Sequence, residues 1–163
     1  MYCFSGKHGP RKNSAGKKAF RSEKLMNRRI GESDSKVVGG DLGFNVLIVE
    51  DSPTIRSLII TTLEDVGDFR FVETGSGFEA LKILPRERFD LIMTDINMPD
   101  INGLELVSFL KKSDLYKDIP LFIISTEGSK QDVAKGLALG ANEYIIKPFK
   151  LEDLQRTVLK YLH

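Results

Sequence analysis

Cysteine is nearly absent from this 163-residue chain, where Cys3 stands alone. A single thiol excludes any intrachain disulfide and fits a reducing compartment. Long apolar runs are lacking too. None approaches the ~20 residues that span a bilayer, and the opening MYCFSGKHGPRKNSAGKKAF lacks the apolar centre of a secretory signal. A cytoplasmic protein with no membrane role is the expectation. Nor does one charge dominate, with 24 Lys and Arg against 23 Asp and Glu. Hydrophobic residues at 41% and charged residues at 29% give the balance of an ordinary soluble domain with a proper core.

The near-neutral total conceals two unlike parts. Residues 1–42 carry ten Lys/Arg and four Asp/Glu, a net +6, whereas residues 43–163 carry fourteen and nineteen, a net −5. The first part shows no helical or strand period, and GESDSKVVGGDLG reads as a flexible linker. The expected organisation is a basic, disordered extension over 1–42 and a folded domain over 43–163. Met26 offers an alternative start within the extension. Its charge would suit nucleic acid or anionic lipid, but without interleaved aromatics a solvated extension is the preferred reading.

From residue 44 a regular alternation begins. FNVLIV (44–49), FRFVET (69–74), FDLIMT (89–94), PLFIIS (120–125) and EYIIK (143–147) are short, apolar and rich in β-branched residues. Such runs predict strands buried on both faces, as in a parallel sheet. Between them, Ile55, Leu58, Ile59, Thr62 and Val66 recur at helical steps, as do Leu151, Leu154, Val158 and Leu162. SGFE (76–79) and SKQD (129–132) resemble capping boxes, and Gly140 suits a helix C-terminus. The pattern predicts five β–α units in an open, doubly wound α/β sheet with helices on both faces.

In such sheets, sites form where strands end at their carboxyl termini. The stretch LIMTDINMPDINGLE runs an apolar strand directly into Asp95. Alone, that carboxylate reads as a turn cap. Yet the other strands end comparably, in Glu50-Asp51, Ser125-Thr126 and Lys147-Pro148. If the first and third strands are neighbours, ~4.8 Å apart, Glu50, Asp51 and Asp95 converge. Three carboxylates that close require a cation, and an all-oxygen donor set suits Mg²⁺, with the Asn97 backbone carbonyl as a further ligand. Glu50-Asp51 would equally favour the start of a helix at Ser52-Pro53. Lys147, roughly 10 Å from the third strand, would bring an ammonium to an anion on Asp95, and Ser125 would offer a hydroxyl. Together these groups describe a phosphoryl pocket.

VLIVEDS, IMTDINMPDINGLE, IISTEGS and NEYIIKPF resemble, in order and spacing, the response-regulator receiver domains, over residues 44–162. The resemblance implies a flavodoxin-like strand order 2-1-3-4-5. It implies that Asp95 accepts a phosphoryl group from a sensor histidine kinase, with Glu50, Asp51 and Asn97 helping to hold Mg²⁺. Ser125 and Lys147 would contact the phosphoryl oxygens, and Ser125 and Tyr144 would carry the switch. Pro148 matches the family's Lys-Pro bond, which is often cis. Such a protein is a phosphoacceptor in signalling, not an enzyme acting on an outside substrate. The sequence looks most like the chemotaxis type, whose target is a flagellar motor switch or other motility protein. No output domain follows the last helix in this chain, so a single-domain regulator is expected. Glu50 replaces an Asp common in the family, and Asn97 and Glu127 match the chemotaxis pattern. Thr126, bulkier than the usual small residue, is expected to narrow access of water and lengthen the phosphoryl lifetime.

Two rival readings stand beside this one. A phosphorelay intermediate would pass the phosphoryl on to a histidine protein, though neither His8 nor His163 has a suitable helical context. Gly75-x-Gly77-x-x-Ala80 outlines a dinucleotide-binding fingerprint with Asp95 twenty residues on. That motif follows the second strand, however, and leaves Glu50, Asp51, Ser125 and Lys147 without a joint role.

Overall fold

The computed structural model describes residues 43–162. The expectations for the basic extension, with Cys3, His8 and Met26, and for His163 lie outside them. Ten elements alternate: β1 (Phe44–Val49), α1 (Pro53–Glu64), β2 (Phe69–Thr74), α2 (Gly77–Ile83), β3 (Leu91–Thr94), α3 (Gly103–Lys112), β4 (Leu121–Ser125), α4 (Lys130–Ala138), β5 (Glu143–Ile146) and α5 (Leu151–Leu162). The five strands form one parallel sheet in the order β2-β1-β3-β4-β5, as expected.

Alternate strand residues feed two cores. Leu47, Val49, Ile92 and Ile123 pack with Ala80 of α2 and with Leu106, Val107 and Leu110 of α3. Val46, Ile48, Met93, Phe122 and Ile124 pack with Ile59 and Leu63 of α1 and with Leu154 and Val158 of α5. A strand fed from both faces must be apolar at every position, which is why β3 and β4 are buried throughout. Burial on both faces fails at the edges. β2 and β5 have one neighbour each and are largely half-buried or exposed.

Helix ends follow local chemistry. Ser76 and Ser129 cap α2 and α4 by accepting from the amides of Glu79 (3.2 Å) and Asp132 (3.1 Å). Neither makes the full box read from the sequence. The Glu79 carboxylate accepts from the Gly75 amide, and the Asp132 carboxylate from the Ser129 hydroxyl. The complete capping box belongs to α3, between Asn102 and Glu105. Gly140 closes α4 in the left-handed region, at φ 106°. Its methylene neighbour Lys111 would lie 2.9 Å from an added Cβ. On α1 the buried face is Ile59, Thr62 and Leu63; Leu58, expected there, is 39% exposed. Among the described residues no helix is long and apolar enough to cross a membrane.

Phe122 is fully buried and meets Tyr161 of α5 edge-on, with ring centroids 5.1 Å apart. Phe122→Ala is expected to destabilise the domain by about 3–5 kcal/mol. Urea unfolding checks this, and a loss under about 1 kcal/mol would mean the α5 face is not packed as described.

Candidate functional site

The register of the sheet builds the site. Val49 of β1 stands opposite Thr94 of β3, so Glu50 and Asp95, each one residue further on, leave the sheet side by side. The ladder continues past both strands, with the Glu50 amide donating to Thr74 O (3.0 Å) and the Asp95 amide to Val49 O (2.9 Å). Ser125 lies opposite Ile146, and the Lys147 amide donates to Ser125 O (2.8 Å), which levels Lys147 with the same edge.

Glu50 and Asp95 are buried, at 3% and 7% exposure, while Asp51 is exposed. Glu50 Oε1 accepts from the Ser52 amide (3.1 Å), and Ser52 in turn caps α1 ahead of Pro53. Asp95 Oδ1 accepts from the Ile96 amide (2.6 Å). Lys147 Nζ lies between the two buried carboxylates, 2.6 Å from Glu50 Oε2 and 3.1 Å from Asp95 Oδ2. Burial pushes the Glu50 carboxyl up, and Lys147 only partly offsets this. Burial alone would lower the Lys147 amine, but its hydrogen bonds to Glu50 and Asp95 outweigh it and leave the ammonium favoured. One carboxylate oxygen from each of Glu50, Asp51 and Asp95 can be chosen so that all lie within 4.8 Å of one another. Three carboxylates against one ammonium leave the cluster short of positive charge. These groups face a cavity of about 470 Å³ that Asn97, Thr126 and Pro148 also line, with Ile55, Leu58 and Phe149 as its apolar side. Within the described residues the Asp51 carboxylate and the Asn97 carbonyl are hydrogen-bonded to nothing, so both are available to a ligand.

Ser125 and Tyr144 stand back from this cavity. Ser125 is fully buried and its hydroxyl accepts from the Glu127 amide (3.2 Å). The Tyr144 hydroxyl donates to the Glu127 carbonyl (2.6 Å), and Asn97 Nδ2 donates to Glu127 Oε1 (3.1 Å). Glu127 thus joins the cavity wall to β4 and β5. Burial, more than its polar neighbours, pushes the Tyr144 phenol up, so it remains a donor. The Lys147-Pro148 bond is cis, as the resemblance implied.

Three contributors escaped sequence reasoning. Arg56 of α1 donates Nη1 to the Glu50 carbonyl (2.5 Å) and Nε to Glu73 (2.9 Å), steadying the turn that carries Glu50 and Asp51. Leu58 lines the cavity instead of the core. Gly103 begins α3 against the end of β3, where an added Cβ would stand 1.9 Å from the Asp95 carbonyl oxygen. The Gly103 amide donates to Ile96 O (3.0 Å). Only Gly103 had a legible signal, since it follows Asn102 in the capping box with Glu105. Gly77, one of the dinucleotide-motif glycines, has a packing reason: a Cβ there would come within 2.9 Å of Ile101.

A family model described as the response regulator receiver domain matches residues 46–159. A curated relative, the chemotaxis protein CheY homolog of Campylobacter jejuni, is 40% identical over 120 residues, covering 69% of this chain and 92% of the relative. Among solved structures, the chemotaxis response regulator CheY4 of Vibrio cholerae superposes with TM-score 0.67 at 36% identity, over 74% of this chain and 99% of that one. The receiver domain of a sensor histidine kinase from Pseudomonas aeruginosa, solved with a magnesium ion coordinated in its active site cleft, gives TM-score 0.67 at 26% identity, over 74% and 98%.

Because the α3 N-terminus abuts the Asp95 backbone, Gly103→Ala must displace one of them. We expect a stability loss of about 1–3 kcal/mol together with weaker Mg²⁺ binding by the carboxylate cluster in calorimetric titration. A variant matching the parent in both would contradict that contact.

Proposed function

The chain belongs to the response regulator receiver domain family, and from that premise we propose that Asp95 is the phosphoacceptor of a regulator in chemotaxis or motility signalling. Residues 43–163 are taken as the receiver body and 1–42 as a separate basic extension. In the reaction, an Asp95 oxygen bonds to phosphorus as the P–N bond of a kinase phosphohistidine breaks, the imidazole leaving with the electron pair of that bond. Phosphoryl transfer asks a protein mainly for positioning and charge neutralisation.

The observation that carries this reading is the single ammonium shared by two buried carboxylates beside an open cavity. Lys147 holds Asp95 Oδ2 at 3.1 Å and so stands where charge on an added phosphoryl group would develop. Asp95 Oδ1 is fixed by the Ile96 amide, which keeps the carboxylate from rotating. A divalent ion fits the residues present. The donors are all oxygen, three carboxylates lie close, and Asp51 is exposed and unengaged. Glu50, Asp51, Asp95 and the Asn97 carbonyl would hold Mg²⁺, whose bound charge would offset that of the phosphoryl oxygens. Ser125 would reach the phosphoryl by giving up its bond from Glu127, and Tyr144 would follow through the same residue. The partners are then a sensor histidine kinase and a downstream target protein. The chemotaxis assignment rests on relatives named for chemotaxis that this chain spans almost fully.

Incubation with acetyl phosphate and Mg²⁺ tests the reading. One hydroxylamine-sensitive phosphoryl adduct at Asp95 is expected, absent in Asp95→Asn and without the metal; its appearance elsewhere, or nowhere, refutes the assignment. Thr126 lines the cavity beside Asp95. Thr126→Ala should therefore admit water more freely and shorten the phosphoryl lifetime by about two- to tenfold, an effect of roughly 0.4–1.4 kcal/mol on the barrier. Decay of ³²P-labelled protein measures this, and an unchanged lifetime removes Thr126 from the account.

A further inference from the structure

At the opposite ends of the strands, the α2–β3 and α3–β4 connections border an open groove of about 610 Å³. Its wall is apolar, formed by Phe89, which is buried, and by the half-buried Tyr116 and Ile119. On its rim stands Leu115, 80% exposed and the most exposed large hydrophobic side chain among the described residues. A loose loop does not account for this exposure. Lys111 Nζ donates to Lys117 O (2.9 Å), Ile119 O (2.8 Å) and Asn142 Oδ1 (3.1 Å). The amides of Tyr116 and Lys117 both donate to Ser113 O, at 3.1 and 2.9 Å. The turn is pinned from both sides, and Leu115 is held out from a fixed support.

Charge marks the same place. Arg86 and Arg88 flank the groove, and within the described residues neither guanidinium has a carboxylate partner. Of the nearby acids, Glu87 pairs with Arg70 (3.0 Å) and Asp114 with Lys117 (2.6 Å), the Asp90 carboxylate accepts from the Asn45 amide (2.8 Å), and Asp118 acts on Lys111. Two uncompensated guanidinium groups therefore face outward beside an apolar slot, on a body whose sequence carries a net −5 over residues 43–163. An acidic ligand is repelled by most of such a surface and drawn to this part of it.

We propose that this groove docks an acidic segment of a partner protein. A large apolar side chain of that segment sits against Leu115 and Tyr116, and its flanking carboxylates pair with Arg86 and Arg88. Guanidinium groups match carboxylates in two-point geometry, and the groove's volume of about 610 Å³ lies within the range of ligand-binding clefts. The groove lies at the amino ends of β3 and β4, whereas Asp95 follows the carboxyl end of β3. Docking here is consequently indifferent to the state of Asp95, and the groove serves as a constant anchor beside whatever surface phosphorylation alters.

The test titrates ¹⁵N-labelled full-length protein with the end-blocked peptide EELFEE and, separately, with KKLFKK, following amide shifts. EELFEE should shift residues 84–89 and 113–119, equally with and without Mg²⁺ and beryllofluoride, and KKLFKK should leave them in place. Joint Arg86→Glu and Arg88→Glu, or Leu115→Ser alone, should each weaken EELFEE about tenfold or more. All three positions are exposed, so unchanged far-UV circular dichroism will show that the variants fold. The proposal is overturned if EELFEE at millimolar concentration shifts nothing in these segments, if KKLFKK shifts them equally, or if binding needs beryllofluoride. It is also overturned if the groove residues instead govern co-sedimentation with phosphatidylserine vesicles while the peptide does not bind.

Discussion

One ammonium group between two buried carboxylates organises this molecule. Glu50 and Asp95 emerge next to each other because β1 and β3 are parallel neighbours in register. Without Lys147 their charges would face each other unopposed at the end of the sheet, and burial would push the Glu50 carboxyl further up. Lys147 arrives from the end of β5, two strands from β3 and three from β1, and its length bridges the gap, with contacts of 2.6 Å to Glu50 and 3.1 Å to Asp95. The pair-and-a-half so formed is only partly neutral, since Asp51 adds a third carboxylate at the exposed lip. A site left short of positive charge is a site prepared for a cation, and for an anion that arrives with one.

The backbone around this cluster is tight where the chemistry requires a fixed position and open where a ligand must enter. Gly103 lets the first turn of α3 lie directly against the Asp95 carbonyl, and Thr94 Oγ1 donates to that same oxygen at 2.9 Å. Ile96 fixes one oxygen of the Asp95 side chain. On the other wall, Ile55 and Leu58 of α1 present an apolar slope to the cavity. The cost of leaving Leu58 out of the core is borne by α1, whose burial is left to Ile59, Thr62 and Leu63.

How much of this was legible depended on whether a residue acts through its own type or through its surroundings. The strands declared themselves, because a run such as LIMT or LFIIS has no polar position to give to solvent. Their carboxyl-terminal acids were legible for the same reason, as charges at the end of apolar runs. What the pattern did not separate was centre from edge, since FRFVET and FNVLIV read alike until one is found to have a single neighbour. Arg56 was hidden in an ordinary amphipathic helix; its importance lies in one carbonyl of a turn six residues earlier. Leu58 was misplaced because helical spacing gives a face without saying what the face meets. The strand order itself came from family resemblance, for alternation alone is compatible with several orders.

Glu127 ties the cavity wall to β4 and β5. Its side chain accepts from Asn97 at the cavity, its amide donates to Ser125, and its carbonyl accepts from Tyr144. With three bonds converging on one residue, a shift of the Ser125 side chain away from the Glu127 amide would be felt at the other two. Tyr144 is sensitive to such a disturbance because its ring rests on a glycine. A Cβ at Gly136 would come within 2.8 Å of both Ile123 Cδ1 and Tyr144 Cδ2, so α4 has given up a side chain to seat the ring. A glycine inside a helix lowers its stability by roughly 0.5–1 kcal/mol relative to alanine, and α4 carries that at Gly136. On the other side of the sheet's carboxyl edge, Gly103 and the Asn102–Glu105 capping box fix the start of α3 against Asp95, so the two helices use their glycines differently, one on a backbone contact and one on a ring.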